Sequence, residues 1–216
     1  MVKIKKATLH MQIADSLREM IMTGQLKEGD KVNENRLCAV MEISKTPLRE
    51  ALRVLSSEGL IRLVPNRGSF VTKPSMDEIR EMFDVMSLLE GFCARVATEK
   101  MNARSFARLE KLHAGLEEKY RRRDQEGYIR INNQYHAFLQ ELAGNRTMNG
   151  IVNGLRKKIL LYRFQSLNLP ERFDASIHEH RCLLEAFRNK DPMQAEALMK
   201  THLLNQAEAM ARLTRQ

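Results

Sequence analysis

The chain changes its hydrophobic period at Gly59, and that change limits the fold more than any other feature. Before it, residues 45–58 place Leu48, Ala51, Leu52 and Leu55 on one helical side, with Pro47 in the first turn, where a missing amide proton costs nothing. After it, residues 60–64 and 69–72 are rich in strand formers, and Pro65-Asn66-Arg67-Gly68 between them is turn chemistry. Upstream, Leu9, Ile13, Leu17 and Ile21 recur at helical spacing over 9–22, and Asn33 is placed to cap a short helix over 34–41. Two short helices separated by a tight turn, the second with Lys45, Arg49 and Arg53 off its apolar side, make a helix-turn-helix. The hairpin directly behind it reads as a wing with a basic tip.

Beyond Lys73-Pro74-Ser75 the pattern is helical to the end, and no further proline occurs until Pro170. Candidate helices cover 76–101, 103–125, 126–143, 149–166, 172–189 and 192–212. No fixed repeat is evident, so a bundle is expected rather than a solenoid. The expected fold is mostly α: a winged helix-turn-helix over 1–73, a linker over 74–77, and an all-helical antiparallel bundle over 78–216. At 216 residues, with 43% hydrophobic and 29% charged residues and only 10 Gly and 5 Pro, the composition excludes a fibre, a disordered chain or a large multidomain enzyme.

The net charge of +9 suits a polyanionic partner without proving one. Residues 1–74 carry 13 Lys or Arg against 8 Asp or Glu, so charge does not separate the two parts sharply. The placement of Lys45, Arg49, Arg53, Arg62 and Arg67 matters more than the total. Cys38, Cys93 and Cys182 are too far apart for a disulfide framework or a CxxC knuckle, which points to a reducing compartment. With no apolar run near the ~18 residues of a membrane span, a cytoplasmic location is expected.

Four residues in the helical part carry possible metal chemistry. Asn132 and His136, four apart, share a helix face, and His180 and His202 lie on two later helices. Three imidazoles and an amide oxygen converging in a bundle form a first-row metal site, with zinc or nickel first and iron or manganese admissible. His178 stands two residues from His180, so the two cannot both point inward along one helix. The thirteen methionines, Met82, Met86, Met148, Met199 and Met210 among them, read mainly as core filler.

Residues 44–71, SKTPLREALRVLSSEGLIRLVPNRGSFV, resemble the DNA-binding signature of the GntR family of bacterial transcriptional regulators, and residues 13–37 continue the match. The segments NNQYHAFLQELAGN (132–145), HEHRCLLEAFRNKD (178–191) and AEALMKTHL (195–203) resemble the FCD effector domain of the FadR subfamily. The resemblance implies DNA contacts from Asn35, Arg36, Ser44, Lys45, Thr46, Arg49, Asn66, Arg67 and Gly68. Lys45 stands where an arginine is usual, and Asn35 where some relatives have one; a lysine lacks the planar fork that reads guanine. The resemblance also implies a metal held by positions that are Asp, His, His and His in relatives and Asn132, His136, His180 and His202 here. Met86 falls where relatives often carry an arginine for an effector carboxylate, and Arg163 is the candidate substitute.

The function so implied is a sequence-specific regulator, most often a repressor, acting as a homodimer on an operator with two-fold related half-sites and sensing a small organic acid at a metal centre. A metal-dependent enzyme using the three histidines is the alternative, but no H-E-x-x-H or similar base-bearing motif occurs. A non-specific architectural DNA-binding protein is the third reading.

Overall fold

The computed structural model describes residues 9–159 and 169–213. It divides into a unit ending at Pro74 and a unit beginning at Ser75. Among the described residues no helix is long and apolar enough to cross a membrane.

In the first unit α1 is Leu9–Met22, α2 Glu34–Met41 and α3 Lys45–Ser57. Ile13, Leu17 and Ile21 of α1 are buried with Leu48, Ala51, Leu52 and Leu55 of α3, whereas Leu9 is exposed. Asn33 caps α2, its side chain accepting the Arg36 amide, and Glu42 ends that helix in the left-handed region. Arg18 of α1 donates Nε and Nη2 to the Glu58 carboxylate just after α3, so an ion pair joins the two packed helices. Strands β1 (Ile61–Val64) and β2 (Gly68–Val71) pair antiparallel with Ile61 opposite Val71 and Val64 opposite Gly68. The turn closes as Arg67 N donates to Val64 O, with Asn66 at φ 59° and Gly68 at φ 103°. That last value is where an L side chain is strained, so glycine is required there.

The second unit holds α4 (Met76–Lys100), α5 (Ala103–Arg121), α6 (Gln125–Ala143), α7 (Arg146–Lys158), α8 (Pro170–Arg188) and α9 (Pro192–Leu213). Local signals start most of them. Ser75 and Glu78 form a capping box for α4, Asn102 and Ser105 one for α5, and Asp124 and Asn145 cap α6 and α7. α4 packs along α9 and α6, and α5 lies against α6 and α8. A Cβ on Gly91 would come within 2.8 Å of Lys200 Cγ and 3.2 Å of the Glu196 carbonyl, so glycine permits the close α4–α9 approach beside Glu90. Ile79, Phe83, Tyr128, Tyr135, Phe173, Leu183, Phe187 and Leu203 fill the core.

The sequence expectation for α7, residues 149–166, starts late. Asn145 caps the helix directly behind Gly144, the C-cap of α6, and the polar first turn conceals this start from apolar periodicity. The expected end at 166 lies outside the described residues.

Candidate functional site

Two places concentrate functional chemistry, one in each unit. In the first, Asn35 of α2, Lys45 and Arg49 of α3, and Asn66, Arg67 and Gly68 of the turn line one open cleft of about 640 Å³. Lys31 and Glu34 share its wall. Ser44 and Thr46 are exposed at the start of α3, and Arg36 is exposed on α2. The Arg49 Nε–H donates to Glu34 Oε2 at 2.9 Å while the arginine side chain stays 61% exposed, so the guanidinium is both held and accessible. Helix start, preceding helix and hairpin tip thus present one polar, cationic rim of the kind that meets a nucleic-acid groove.

In the second unit Asn132 and His136 of α6, His180 of α8 and His202 of α9 are all buried. Among the described residues, His136, His180 and His202 form the one group of three or more metal-capable side chains, their ligand atoms within 4.8 Å of one another. The His136 and His202 rings stack at 5.4 Å between centroids, and His180 meets His202 edge-on at 4.8 Å. Asn132 Oδ1 lies 2.8 Å from His180 Nε2, which brings the amide oxygen to the cluster. His178, by contrast, is exposed and turned toward Cys182.

Two carboxylates stand behind the imidazoles. His136 Nδ1–H donates to Glu90 Oε2 at 2.8 Å, and His202 Nδ1–H to Glu179 Oε2 at 2.6 Å. Each bond sets the tautomer in which Nε2 carries the lone pair, the form a metal-ligating histidine needs. Each carboxylate is in turn gripped by a guanidinium: Glu90 by Nε and Nη2 of Arg156, Glu179 by Nη1 and Nη2 of Arg172. Asn205 also donates to Glu179 at 2.8 Å.

The electrostatics agree with the geometry. Burial lowers His136 to about 3 and, with its histidine neighbours, His180 well below its usual value, so these rings are neutral at pH 7. Burial alone would raise Glu90, but Arg156 and His136 outweigh it and hold the carboxyl well below the usual range. For Glu179, burial is outweighed by His202 and Arg172, leaving it at about 2.

The donor set fits a first-row dication. His136 Nε2, the nitrogen left open by the Glu90 bond, is buried with no hydrogen-bond partner, which is costly for a polar atom unless something completes it. Imidazoles are the donors that zinc, nickel and iron take, and an amide oxygen is a harder donor that such ions accept beside them.

Of the two residues expected to meet an effector, Met86 is fully buried in the bundle core, one turn before Glu90 on α4. Arg163 lies outside the described residues. Sequence reading did not single out Glu90, Arg156, Arg172 or Glu179 behind the histidines, nor Lys31 and Glu34 beside the cleft. Glu90 left a trace: a charged residue in the buried stripe of Phe83, Met86, Ala94 and Ala97.

A winged helix followed along the chain by a helical bundle is the architecture of a class of DNA-binding regulators, and comparison with known proteins gives the family. Residues 9–71 match the model described as bacterial regulatory proteins, gntR family, and residues 81–205 match the FCD domain. The chain belongs to the gntR family of transcriptional regulators that carry an FCD effector-binding domain. It is similar to the uncharacterized HTH-type transcriptional regulator YdhC of Bacillus subtilis, 25% identical over 95% of this chain and 93% of that protein. The HTH-type transcriptional repressor RspR of Escherichia coli is 22% identical over 95% of this chain and 90% of its own length. The gluconate operon transcriptional repressor of B. subtilis is 37% identical, but over only 41% of this chain and 36% of its own length.

Among solved structures, E. coli McbR/YncC shares the fold with a TM-score of 0.78 at 19% identity, covering 97% of this chain and 100% of that one. A putative GntR regulator from Rhodococcus sp. RHA1 gives 0.75 at 20% identity, covering 94% and 97%. The family is one of regulators and not an enzyme class, so neither the enzyme nor the architectural reading is favoured.

Proposed function

We propose that the protein is a cytoplasmic repressor in which residues 1–73 read DNA, residues 74–77 link, and residues 78–216 dimerise and bind a metal with a small organic acid. The operator has two-fold related half-sites matching a homodimer. Asn35, Arg36, Ser44, Lys45, Thr46, Arg49, Asn66, Arg67 and Gly68 make the contacts. Arg49 reads a base, because a guanidinium offers parallel donors to guanine O6 and N7, and the others chiefly position the protein on phosphates.

Asn132, His136, His180 and His202 hold a divalent ion, zinc or nickel by donor type. When bound, such an ion supplies a Lewis-acid centre with open positions for a ligand carboxylate. The chain's own part is to keep the imidazoles neutral and oriented through Glu90 and Glu179. Regulation requires the ligand to bind one DNA-competence state better than the other, and DNA then alters ligand affinity by the same factor.

The observation that carries this reading is the convergence of three histidine nitrogens, two on rings that a carboxylate holds, in a chain with an open basic cleft on its winged helix. The test is thermal unfolding of metal-stripped protein with first-row metals and small organic acids, singly and together, beside His136→Ala. A ligand at ~100 times its dissociation constant adds ~2.7 kcal/mol, which raises the midpoint by several degrees in wild type and not in the variant. Equal behaviour of the two proteins would sink the metal assignment.

A further inference from the structure

The cleft that holds Asn35, Lys45 and Arg67 does not end at Arg49. A second cleft, of about 490 Å³, opens between α3 and β1, with Leu52, Leu63, Val64 and Pro65 on its apolar wall and Arg53 opposite. The two share Glu34, Arg49, Asn66 and Gly68, so they are arms of one groove that meet at Arg49. Arg53 stands four residues after Arg49 on α3, one turn or ~6 Å further from the helix end that enters a major groove. Base edges form the floor of that groove and phosphates its rim. A side chain one turn back from a base reader is therefore at the level of the rim.

The other arm receives a cation from outside the helix-turn-helix. Lys31 precedes α2, but its backbone bridges to Phe70, and Val32 N donates to Ser69 O, which ties this segment to β2. Lys31 Cε lies 3.2 Å and Nζ 3.9 Å from where a Cβ on Gly68 would sit. The bare glycine thus lets the lysine side chain lie across the hairpin turn beside Arg67. Lys31 and Arg53 are both exposed, and neither has a hydrogen-bond or ion-pair partner among the described residues. Glu34 is the one carboxylate that lines the two arms, and Arg49 Nε already occupies it. The remaining cations of the groove face no protein anion, which makes the whole groove complementary to a polyanion.

We propose that Arg53 and Lys31 are two further DNA contacts, each holding a backbone phosphate, one in each arm of the groove. They grip the strand on both sides of Arg49 and supply affinity without reading sequence. This rests on the DNA-contact reading above and extends it beyond the nine residues given there.

The experiment is fluorescence anisotropy of the full-length protein at several salt concentrations, on a duplex selected by the wild-type protein from a random pool and on a scrambled copy of it. Arg53→Gln and Lys31→Gln each reduce the slope of log affinity against log salt by about 0.9 on both duplexes, and the double variant reduces it by about 1.8. The ratio of the two affinities stays as in wild type. Arg53→Lys and Lys31→Arg keep the wild-type slope, since a phosphate accepts either cation. Lys27→Gln, which removes an exposed lysine lining neither arm, leaves the slope unchanged. Circular dichroism checks that each variant folds. A slope that neither glutamine variant changes, or an equal fall in Lys27→Gln, overturns the proposal. So does a loss confined to the selected duplex, which would make the residue a base reader. Arg49→Ala in the same assay judges the base-reading assignment separately, because it moves the affinity ratio, which the phosphate contacts do not.

Discussion

The Arg49 guanidinium and the Glu34 carboxylate are joined across the helix-turn-helix by a 2.9 Å hydrogen bond from Nε. A bond to Nε, and not to the Nη groups, holds the guanidinium plane and leaves the two terminal donors for a base edge. Arg49→Ala is expected to lose about 1–3 kcal/mol at the specific site and to relax discrimination at one base position. Arg49→Lys should recover phosphate attraction and little specificity, since lysine has no fork. Glu34→Gln should weaken binding to the operator more than to a scrambled duplex. Fluorescence anisotropy on both duplexes at fixed salt measures all three; an Arg49→Ala protein with wild-type affinity would refute the base-reading role.

Glu90 is 2% exposed and is the carboxylate partner of the 11% exposed Arg156. Removing one member of a buried pair strands the other, at a cost of about 3–5 kcal/mol, whereas replacing both with apolar groups is often close to neutral. Glu90→Ala should therefore unfold at clearly lower denaturant, and the double replacement Glu90→Leu with Arg156→Met should recover much of the loss. A double variant no more stable than Glu90→Ala would show that the pair does not act as a unit.

The buried histidines give the metal-free protein a definite pH response. In the unfolded chain they titrate near about 6.5, whereas burial lowers His136 to about 3 and His180 well below normal. Below the unfolded value the unfolded chain binds protons that the folded chain refuses. Stability is thus full above about pH 6.5 and falls as pH drops, by up to about 1.4 kcal/mol per unit for each histidine. Glu179 adds a further loss at lower pH, because its carboxyl, at about 2 when folded and 4.5 ordinarily, stabilises above 4.5 and ceases to as pH falls toward 2. Urea midpoints from about pH 7.5 to 5 should decline, and His136→Gln should decline less steeply. A flat wild-type profile contradicts the buried, neutral assignment.

At the hairpin tip, Gly68 combines φ 103° with a position 3.2 Å from Lys31 Cε where a Cβ would sit. Gly68→Ala is expected to cost about 1–3 kcal/mol in the first unit and to weaken DNA binding by tilting the turn that carries Asn66 and Arg67. Differential scanning calorimetry with a DNA-binding titration separates the two effects. Unchanged values in both would remove any role for the turn's geometry.

The winged helix was legible because its signals act over a few residues. Asn33 caps, Pro47 presets a first turn, and the change of period at Gly59 marks where helix gives way to hairpin; all three recur in the structure. Even so, periodicity includes Leu9 in the apolar stripe of α1, and it is 54% exposed. For the bundle, helices were legible from their stripes and caps, but α7 was misplaced where two caps stand back to back. The choice between His178 and His180 illustrates the limit. Both suit the local pattern, and only the packing of α8 against α5 and α9 turns His180 inward.

The sequence by itself determined the order of elements, the winged helix and the residue types available for a metal, since caps, turns and hydrophobic periods are written in neighbouring positions. Tertiary structure alone decided which charges meet. Glu90 and Arg156 are 66 positions apart, and Tyr128 reaches Ser176 across 48. The same is true of the oxygen that Asn132 brings to His180, also 48 positions away. Such pairings depend on which helix faces abut once the core closes. No local preference encodes them, because the free energy that selects them comes from burying the apolar sides of those helices together.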